Sequence, residues 1–241
     1  MNIIITGASK GIGLAIAKTF AKQGTKHCIG ICARNKNELR RAEGELKEIS
    51  SIHDYYCAPC DVAHENEVNE FVSAFEDKFG PVDVLVNNAG FGIFKPVLEI
   101  TKEEFESVLA VNLRGVFLFT RAVLPAMRKQ KSGTVITISS LAAKNGFSGG
   151  TAYCASKFAV RGLMQCLFLE VRSDDIRFVT ICPGSVDTDF FVSSNALPSQ
   201  SLKSKKALKA EDVAECVNLA VQLRQNADLS ELDIRPTNPK G

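Results

Sequence analysis

The stretch Thr6-Gly7-Ala8-Ser9-Lys10-Gly11-Ile12-Gly13 follows an apolar run at residues 3–5 and precedes a helical pattern set by Leu14, Ala17 and Ala21. Glycines in such a turn allow a tight bend and a close approach of the backbone to a pyrophosphate, which side chains would block. The helix N-terminus that follows offers free N–H groups and a partial positive charge. A purely structural strand-to-helix turn has similar glycines, but the position of this one favours a dinucleotide-binding site.

Strand and helix patterns alternate along the whole chain. Several strand candidates are continuously apolar, which is typical of a parallel sheet buried on both faces. Amphipathic helical patterns separate them, and the stripe from Val68 to Phe79 is an example. The strand candidates are residues 3–5, 28–32, 54–58, 82–86, 134–138, 178–182 and 232–235. The alternation predicts one α/β domain over residues 1–241, a doubly wound, Rossmann-like three-layer sandwich.

The composition excludes several classes of protein. The 241 residues carry a net charge of +2, so no concentrated basic excess points to nucleic acid. We expect no membrane partner, because no apolar run approaches the roughly 18 residues of a transmembrane helix. We expect no signal peptide, because a strand-like run starts at once. Eight cysteines without a secretory signal then favour free thiols and a cytoplasmic location.

The end of the second strand candidate bears on the choice of cofactor. Sheets that select NAD usually place an acidic residue there for the ribose 2′-hydroxyl. This chain has Ala33 and Arg34 instead, and Lys10 lies in the glycine turn. Two cations without a carboxylate suit a 2′-phosphate, so the pattern favours NADPH over NADH. The alternative is that Lys10 and Arg34 are ordinary surface charges.

Tyr153 and Lys157 are the first candidates for catalysis. Their spacing of four places the phenol and the ammonium on one face of a helix. A tyrosine with its ordinary pKa of about 10 relays protons poorly at neutral pH, and a nearby cation would lower that pKa. Ser140 follows the strand candidate at 134–138, where α/β sheets present site residues. We expect Ser140 to polarise a carbonyl while Tyr153 donates a proton.

Six motifs, in order along nearly the whole chain, resemble those of the short-chain dehydrogenase/reductase family. They are the G-x-x-x-G-x-G turn after Thr6, Asp61-Val62, Asn87-Asn88-Ala89-Gly90, Val111-Asn112-Leu113, Tyr153-Cys154-Ala155-Ser156-Lys157 and Pro183-Gly184-Ser185-Val186-Asp187-Thr188. The resemblance implies strand order 3-2-1-4-5-6-7. It also implies an enzyme that transfers a hydride from nicotinamide C4 to a carbonyl carbon.

The same resemblance assigns roles to residues. Lys157 would bind the nicotinamide ribose, and Asn112 would hold a proton-relay water, although an asparagine there can also cap or kink a helix. The implied catalytic residues are Asn112, Ser140, Tyr153 and Lys157. The implied NADPH or NADP contacts are Gly7, Ser9, Lys10, Gly11, Ile12, Gly13, Arg34, Asp61, Val62, Asn88, Ala89, Gly90, Tyr153, Lys157, Pro183, Gly184, Val186 and Thr188.

Residues 189–210 are predicted to form a substrate lid. They follow the segment expected beside the nicotinamide, and their Ser, Asn and Pro content indicates mobility. Phe190, Phe191, Leu197 and Leu202 could close over a small apolar or aromatic ketone or diketone, although each could equally pack under a loop.

Alternative substrates and functions stay open. The resemblance includes 3-oxoacyl-carrier-protein reductases and sepiapterin reductases, and residues 234–237 are similar to the ending of some bacterial sepiapterin reductases. The aspartates at 174–175 would repel an acidic carrier, whereas Arg128, Lys129 and Lys131 could attract one. A catalytically silent NADPH-sensing protein is the alternative of another class, but such proteins typically lack the tyrosine or the lysine.

Two further motifs are weighed and set aside. Residues 146–150 fit the G-x-S-x-G hydrolase pattern, but all three histidines precede them, so no triad is expected. Cys57 and Cys60 form a C-x-x-C pair without a second ligand pair, so no metal site is predicted and the thiols are interpreted as structural. Cys154 is expected to face the core.

The chain is also expected to form a homodimer or homotetramer. In the family, the helices at 112–130 and 153–171 commonly pack against those of a neighbour. The second of these carries a broad apolar arc that includes Phe158, Leu163, Leu167 and Phe168. This arc is wider than one core-facing stripe needs.

Overall fold

A computed structural model of the chain describes residues 1–190, 207–224 and 226–237. Seven strands form one sheet in the order β3-β2-β1-β4-β5-β6-β7, and every pair of neighbours is parallel. The strands are β1 Asn2–Thr6, β2 Cys28–Ala33, β3 Asp54–Pro59, β4 Val84–Asn87, β5 Gly133–Ile138, β6 Ile176–Pro183 and β7 Glu231–Ile234. The predicted Rossmann-like fold and strand order are therefore confirmed.

Helices cover both faces of the sheet. They are α1 Gly11–Ala21, α2 Lys36–Ile49, α3 Glu65–Phe79, α4 Lys102–Leu109, α5 Gly115–Gln130, α6 Thr151–Val171 and α7 Ala210–Gln222. A π-helical turn, Ala110–Arg114, joins α4 to α5, and short 3₁₀ turns lie at Leu141–Ala143 and Arg172–Asp174.

The apolar strands form two cores because successive side chains of a strand point to opposite faces. Ile3 and Ile5 of β1 pack with α1, α2 and α7, whereas Ile4 packs with α3, α5 and α6. All three side chains are fully buried. This burial on both faces explains why the strands are continuously apolar, and it fixes the sheet as the middle layer.

All seven predicted strands differ from the observed ones by one or two residues at one or both ends, and β4 and β7 illustrate why. Strand β4 begins at Val84 rather than at residue 82. Val82 is fully buried, but a residue can be buried without being paired in a sheet. Strand β4 also includes Asn87, whose amide donates to Thr120 Oγ1 at 3.1 Å inside the protein. Strand β7 ends at Ile234, which leaves Arg235 just beyond the sheet.

The helical stretch 102–130 corrects another expectation. It is long and apolar enough to cross a membrane by length and composition, with a mean hydropathy of 1.5 over its most apolar window. The expectation that no run approaches that length is therefore wrong. Within the fold, 44% of that window is buried. Val116, Phe119 and Val123 lie in the core beneath the sheet, so these apolar residues stabilise a packed helix.

Candidate active site

One cavity of about 1310 Å³ opens where the carboxyl ends of the parallel strands meet. Of the predicted site residues, all except Gly13 and Asn112 line it. Parallel strands present their following loops at the same edge of a sheet, so residues far apart in sequence converge there. The cavity therefore gathers the glycine turn, the loop after β4, the loop after β5, the start of α6 and the segment after β6.

The glycine turn leaves room along the wall of the cavity. Gly7 and Gly11 have φ angles of 64° and 58°, in the left-handed region that glycine tolerates best. A Cβ on Gly7 would lie 2.7 Å from Ala89 Cα. Gly13 has another role, because its Cβ would lie 2.5 Å from Asn88 Nδ2 and 2.6 Å from Gly7 O. Gly13 thus lets α1 pack behind the cavity.

Hydrogen bonds hold the loop after β4 against this turn. Asn88 Nδ2 donates to the carbonyl oxygens of Thr6 and Gly7, at 2.9 and 3.1 Å. The hydroxyl of Thr6 accepts from the backbone N–H groups of Asn88 and Ala89, both at 3.0 Å. The two segments therefore form one rigid wall.

At the far end of the cavity, a carboxylate lies beside the predicted cations. Glu38, in the first turn of α2, accepts from Ser9 Oγ at 3.0 Å, and its other oxygen lies 3.5 Å from Lys10 Nζ. Arg34 is exposed and makes no ion pair with any other described residue. The interpretation that this region lacks a carboxylate is therefore wrong, because Glu38 enters it from the first turn of α2 and not from the end of β2.

Tyr153 and Lys157 lie on the first two turns of α6, and Lys157 Nζ is 5.7 Å from the centre of the Tyr153 ring. The ammonium donates to Ile138 O at 3.0 Å. Ser140 caps the 3₁₀ turn by accepting from Ala142 N at 3.1 Å, and its hydroxyl also contacts the phenol. Phenol, hydroxyl and ammonium thus meet at the inner end of the cavity.

Burial controls the acidity of these groups. It raises the pKa of Tyr153 to about 12, against the opposing contact with Ser140. It lowers the pKa of Lys157 to about 8. The predicted lowering of the tyrosine pKa by the lysine is therefore not found, and desolvation of the phenol is the largest effect on that pKa. At neutral pH the phenol is protonated and is able to donate.

Asn112 lies in the π-helical turn and is 1% exposed. Its Nδ2 donates to Phe91 O at 2.9 Å and to Ser156 Oγ at 3.0 Å, and its Oδ1 accepts from Phe91 N at 3.0 Å. Both amide hydrogens are therefore used within the protein. The side chain holds the loop after β4 against α6, and the water-holding role stays a prediction.

Aromatic rings surround the phenol. The ring centre of Phe94 lies 5.8 Å from Phe147, 5.5 Å from Tyr153 and 6.5 Å from Phe190, and that of Tyr153 lies 5.6 Å from Phe190. Sequence reasoning missed Phe94 and Phe147. Their signal was weak, since they lie in loops and only the fold brings them to the catalytic residues. The inner end of the cavity is an aromatic pocket.

Only the two ends of the predicted lid are described. Asp189 and Phe190 line the cavity, whereas Phe191, Leu197 and Leu202 lie outside the described residues. At the other end, Leu208 N donates to Ser185 O at 3.0 Å and Asp187 N donates to Leu208 O at 2.8 Å. Both ends therefore join the protein beside the cavity.

Ser139 is a further polar group that sequence reasoning missed. It lines the cavity and is 5% exposed, and its hydroxyl has no hydrogen-bond partner among the described residues. Buried polar groups normally have a partner, so this hydroxyl oxygen, which is itself buried, is an exception.

The motifs set aside in the sequence do not form the hydrolase or metal sites that their patterns resemble. Residues 146–150 belong to the loop before α6, not to an elbow that follows a strand. All eight cysteines are free, and Cys154 is 7% exposed, as predicted. Burial raises the pKa of Cys57 to about 12, so its thiol is unreactive. Over residues 1–190, 207–224 and 226–237, no cluster of three or more metal-ligating side chains occurs.

Comparisons with known proteins agree with this architecture. A family model described as short chain dehydrogenase matches residues 1–198. An uncharacterised oxidoreductase of Staphylococcus saprophyticus is 33% identical over 97% of this chain and 96% of its own length. An alcohol dehydrogenase from the archaeon Thermococcus sibiricus, complexed with 5-hydroxy-NADP, is 32% identical with a TM-score of 0.86, over 100% of this chain and 99% of that one. Levodione reductase is 28% identical, with a TM-score of 0.90, over 97% of this chain and 95% of that one.

Proposed function

Because the chain belongs to the short-chain dehydrogenase family, we propose that this oxidoreductase is an NADPH-dependent carbonyl reductase acting on small apolar or aromatic ketones and diketones. The observation that carries the proposal is the arrangement of one cavity. Its inner end holds Ser140, Tyr153 and Lys157 within the aromatic pocket, and its outer end holds Lys10 and Arg34.

The residues present fit a nicotinamide dinucleotide. Gly7 and Gly11 line the cavity without side chains, and the start of α1 offers free N–H groups to a pyrophosphate. Ser9, Lys10 and Arg34 would hold the 2′-phosphate, and all three line the cavity. The bound cofactor supplies the hydride. The Thermococcus sibiricus neighbour, complexed with 5-hydroxy-NADP, supports this choice.

The protein's own residues orient the carbonyl and supply the proton. The Ser140 hydroxyl is placed to hydrogen-bond the carbonyl oxygen. Tyr153 would donate its proton to that oxygen, since its raised pKa keeps the phenol protonated. Lys157 would hold the nicotinamide ribose, and its link to Ile138 O fixes the ammonium near the phenol. Positioned donors of this kind are worth most where water is excluded.

The aromatic pocket supports the proposed substrate class. Phe94, Phe147 and Phe190 present apolar ring surface around the reacting hydroxyl. Burial of apolar surface contributes roughly 25 cal/mol per Å², so a flat apolar carbonyl compound gains affinity there. Levodione reductase is named for such a carbonyl reduction, which supports the same choice.

A carrier-linked 3-oxoacyl chain is the second candidate, and the structure weakens the case for it. Two of the three cations that would attract an acidic carrier, Arg128 and Lys131, are already engaged. Arg128 Nε lies 2.7 Å from Asp174 Oδ2, and Lys131 pairs with the other oxygen of that carboxylate, which is 7% exposed. Ion pairing within the chain reduces the positive field available to a partner.

A side-by-side assay tests the proposal. NADPH oxidation is measured with free diketones and aromatic carbonyl compounds and with a carrier-linked 3-oxoacyl chain. We expect a higher kcat/KM on the free compounds. Strong preference for the carrier-linked chain would favour the second candidate. Tight NADPH binding without turnover on any substrate would favour the NADPH-sensing alternative.

We also propose that the protein is a homodimer or homotetramer. Phe117, Phe158 and Leu169, on α5 and α6, are 41%, 46% and 62% exposed. Leu163 and Leu167 instead pack half-buried against the chain's own core, so only part of the predicted arc is available to a partner. Exposed aromatic and aliphatic side chains on adjacent helices are typical of subunit interfaces. The free thiols fit a cytoplasmic location.

A further inference from the structure

Glu38 interacts with Ser9 and Lys10, two of the residues that are proposed to bind the 2′-phosphate. One carboxylate oxygen accepts from Ser9 Oγ at 3.0 Å, and the other lies 3.5 Å from Lys10 Nζ. The side chain of Glu38 is 30% exposed and that of Lys10 is 50% exposed, and both line the cavity with Arg34. An anionic group of the protein therefore lies where an anionic group of the cofactor would bind.

This geometry is not explained by capping of α2. Asn35 caps that helix, since its Oδ1 accepts from the N–H groups of Asn37 and Glu38 at 3.0 and 3.1 Å. A glutamate at this third helical position often bonds back to the N–H of the capping residue. Glu38 instead reaches across to the glycine turn, 29 positions earlier in the chain. Its contacts therefore belong to the cofactor cavity.

We propose that Glu38 sets the choice between NADPH and NADH by competing with the 2′-phosphate for Ser9 and Lys10. The proposal rests on the proposed function, in which those residues hold the phosphate. Arg34, without an ion pair in the described chain, attracts the phosphate, and Glu38 opposes it. A carboxylate near the ribose is also the group that NAD-binding sheets use to accept from the 2′-hydroxyl. Glu38 thus lowers the ratio of NADPH affinity to NADH affinity.

Glu38→Gln tests this competition, because glutamine keeps the size and an acceptor for Ser9 but removes the charge. Dissociation constants for NADPH and NADH are measured by titration of cofactor fluorescence, without substrate. Removing one carboxylate from a half-exposed anion site should tighten NADPH binding about three- to tenfold. NADH binding should stay the same or weaken. The gain for NADPH should shrink as salt is added, since salt screens exposed charges.

Glu103→Gln is the matched control. Glu103 is an exposed glutamate in the first turn of α4 and does not line the cavity, so its change removes the same charge from the same kind of position. It should leave both dissociation constants unchanged. Adenosine 2′-monophosphate provides a second probe, and Glu38→Gln should bind it more tightly than the wild type does.

The outcomes separate the two proposals. NADPH binding by both proteins with an unchanged or lower NADPH-to-NADH affinity ratio in Glu38→Gln would overturn the role of Glu38 alone. NADPH binding by neither protein would overturn the proposed function and the role of Glu38 together. A rise in the ratio that is matched by Glu103→Gln would also overturn the proposal, because net charge alone would then explain it.

Discussion

Replacement of Tyr153 by phenylalanine removes one hydroxyl and leaves the ring in place. The ring contacts with Phe94 and Phe190, at 5.5 and 5.6 Å between centres, do not involve that hydroxyl. Loss of its contact with Ser140 should cost only about 0.5–1.5 kcal/mol of unfolding free energy. If the phenol donates the proton, kcat should fall at least about 10²-fold, which corresponds to about 2.7 kcal/mol of activation free energy.

The assay compares initial rates of NADPH oxidation at saturating cofactor with NADPH affinity and thermal denaturation of the same preparations. Tyr56→Phe is the matched control. Tyr56 lies half-buried on β3, its ring packs 5.2 Å from that of Phe71, and its hydroxyl makes no hydrogen bond within the described part of the chain. That variant should keep normal kcat. A folded Tyr153→Phe protein with kcat within about tenfold of wild type would refute the assignment.

Three further predictions concern charge, and a fourth concerns assembly. Since burial lowers the pKa of Lys157 to about 8, kcat/KM should fall as the pH rises through about 8, and a profile that stays flat well above that pH would contradict this. Burial lowers the pKa of His27 to about 4, so the unfolded state binds more protons than the folded state between about pH 6.5 and 4. The free energy of unfolding, measured in urea, should therefore decrease by up to about 3 kcal/mol as the pH falls through that range. Equal stability at both ends of the range would exclude this contribution of His27. Arg34→Asp should weaken NADPH binding and improve the relative use of NADH, whereas a wild-type preference for NADH would show that Arg34 is only a surface charge. In analytical ultracentrifugation we expect a dimer or tetramer, and a monomer at every concentration would reject the proposed interface.

The sheet was predictable because its signals are local. Each strand is a short apolar run, each helix has its own periodicity, and the glycine turn marks where the first strand meets the first helix. The predicted strand ends are wrong where a residue is buried without being paired in the sheet, or is paired in the sheet although it is polar. Val82 is buried outside the ladder, whereas Asn87 is polar but lies within it because Thr120 satisfies its amide. Hydrophobicity alone cannot distinguish these two cases.

Tyr153 and Lys157, the candidate catalytic residues, were predictable for a similar reason, since they lie one helical turn apart. The aromatic and acidic parts of the cavity wall were not predictable. Phe94 and Phe147 come from two loops, and Glu38 reaches Ser9 across 29 positions. No periodicity links such residues, because their proximity depends on the crossover connections between strands. The sequence therefore predicted which candidate residues converge better than it predicted the shape and charge of the site.

Ion pairs between distant parts of the chain were not predictable from the sequence either. In the sequence, Arg128 and Lys131 counted as a basic surface and Asp174 as a separate acidic one. In the fold, the C-terminal end of α5 lies beside the 3₁₀ turn after α6, and the three side chains form one cluster. The single carboxylate offsets only part of the positive charge that an acidic carrier would meet. Pairing with Asp174, and not repulsion by the two aspartates alone, therefore weakens the attraction of such a carrier.

The acidity of Tyr153 shows most clearly why spacing alone is insufficient. The spacing of four to Lys157 predicts a lowered pKa, because a cation stabilises a phenolate. Burial has the opposite effect on the pKa of Tyr153 and raises it to about 12. Burial also destabilises the charged form of Lys157 and lowers its pKa to about 8. A protonated phenol is able to give a proton to a developing alkoxide, whereas oxidation of an alcohol would need the scarce phenolate as base. The protonated state of Tyr153 at neutral pH therefore fits the role of proton donor that we propose for it.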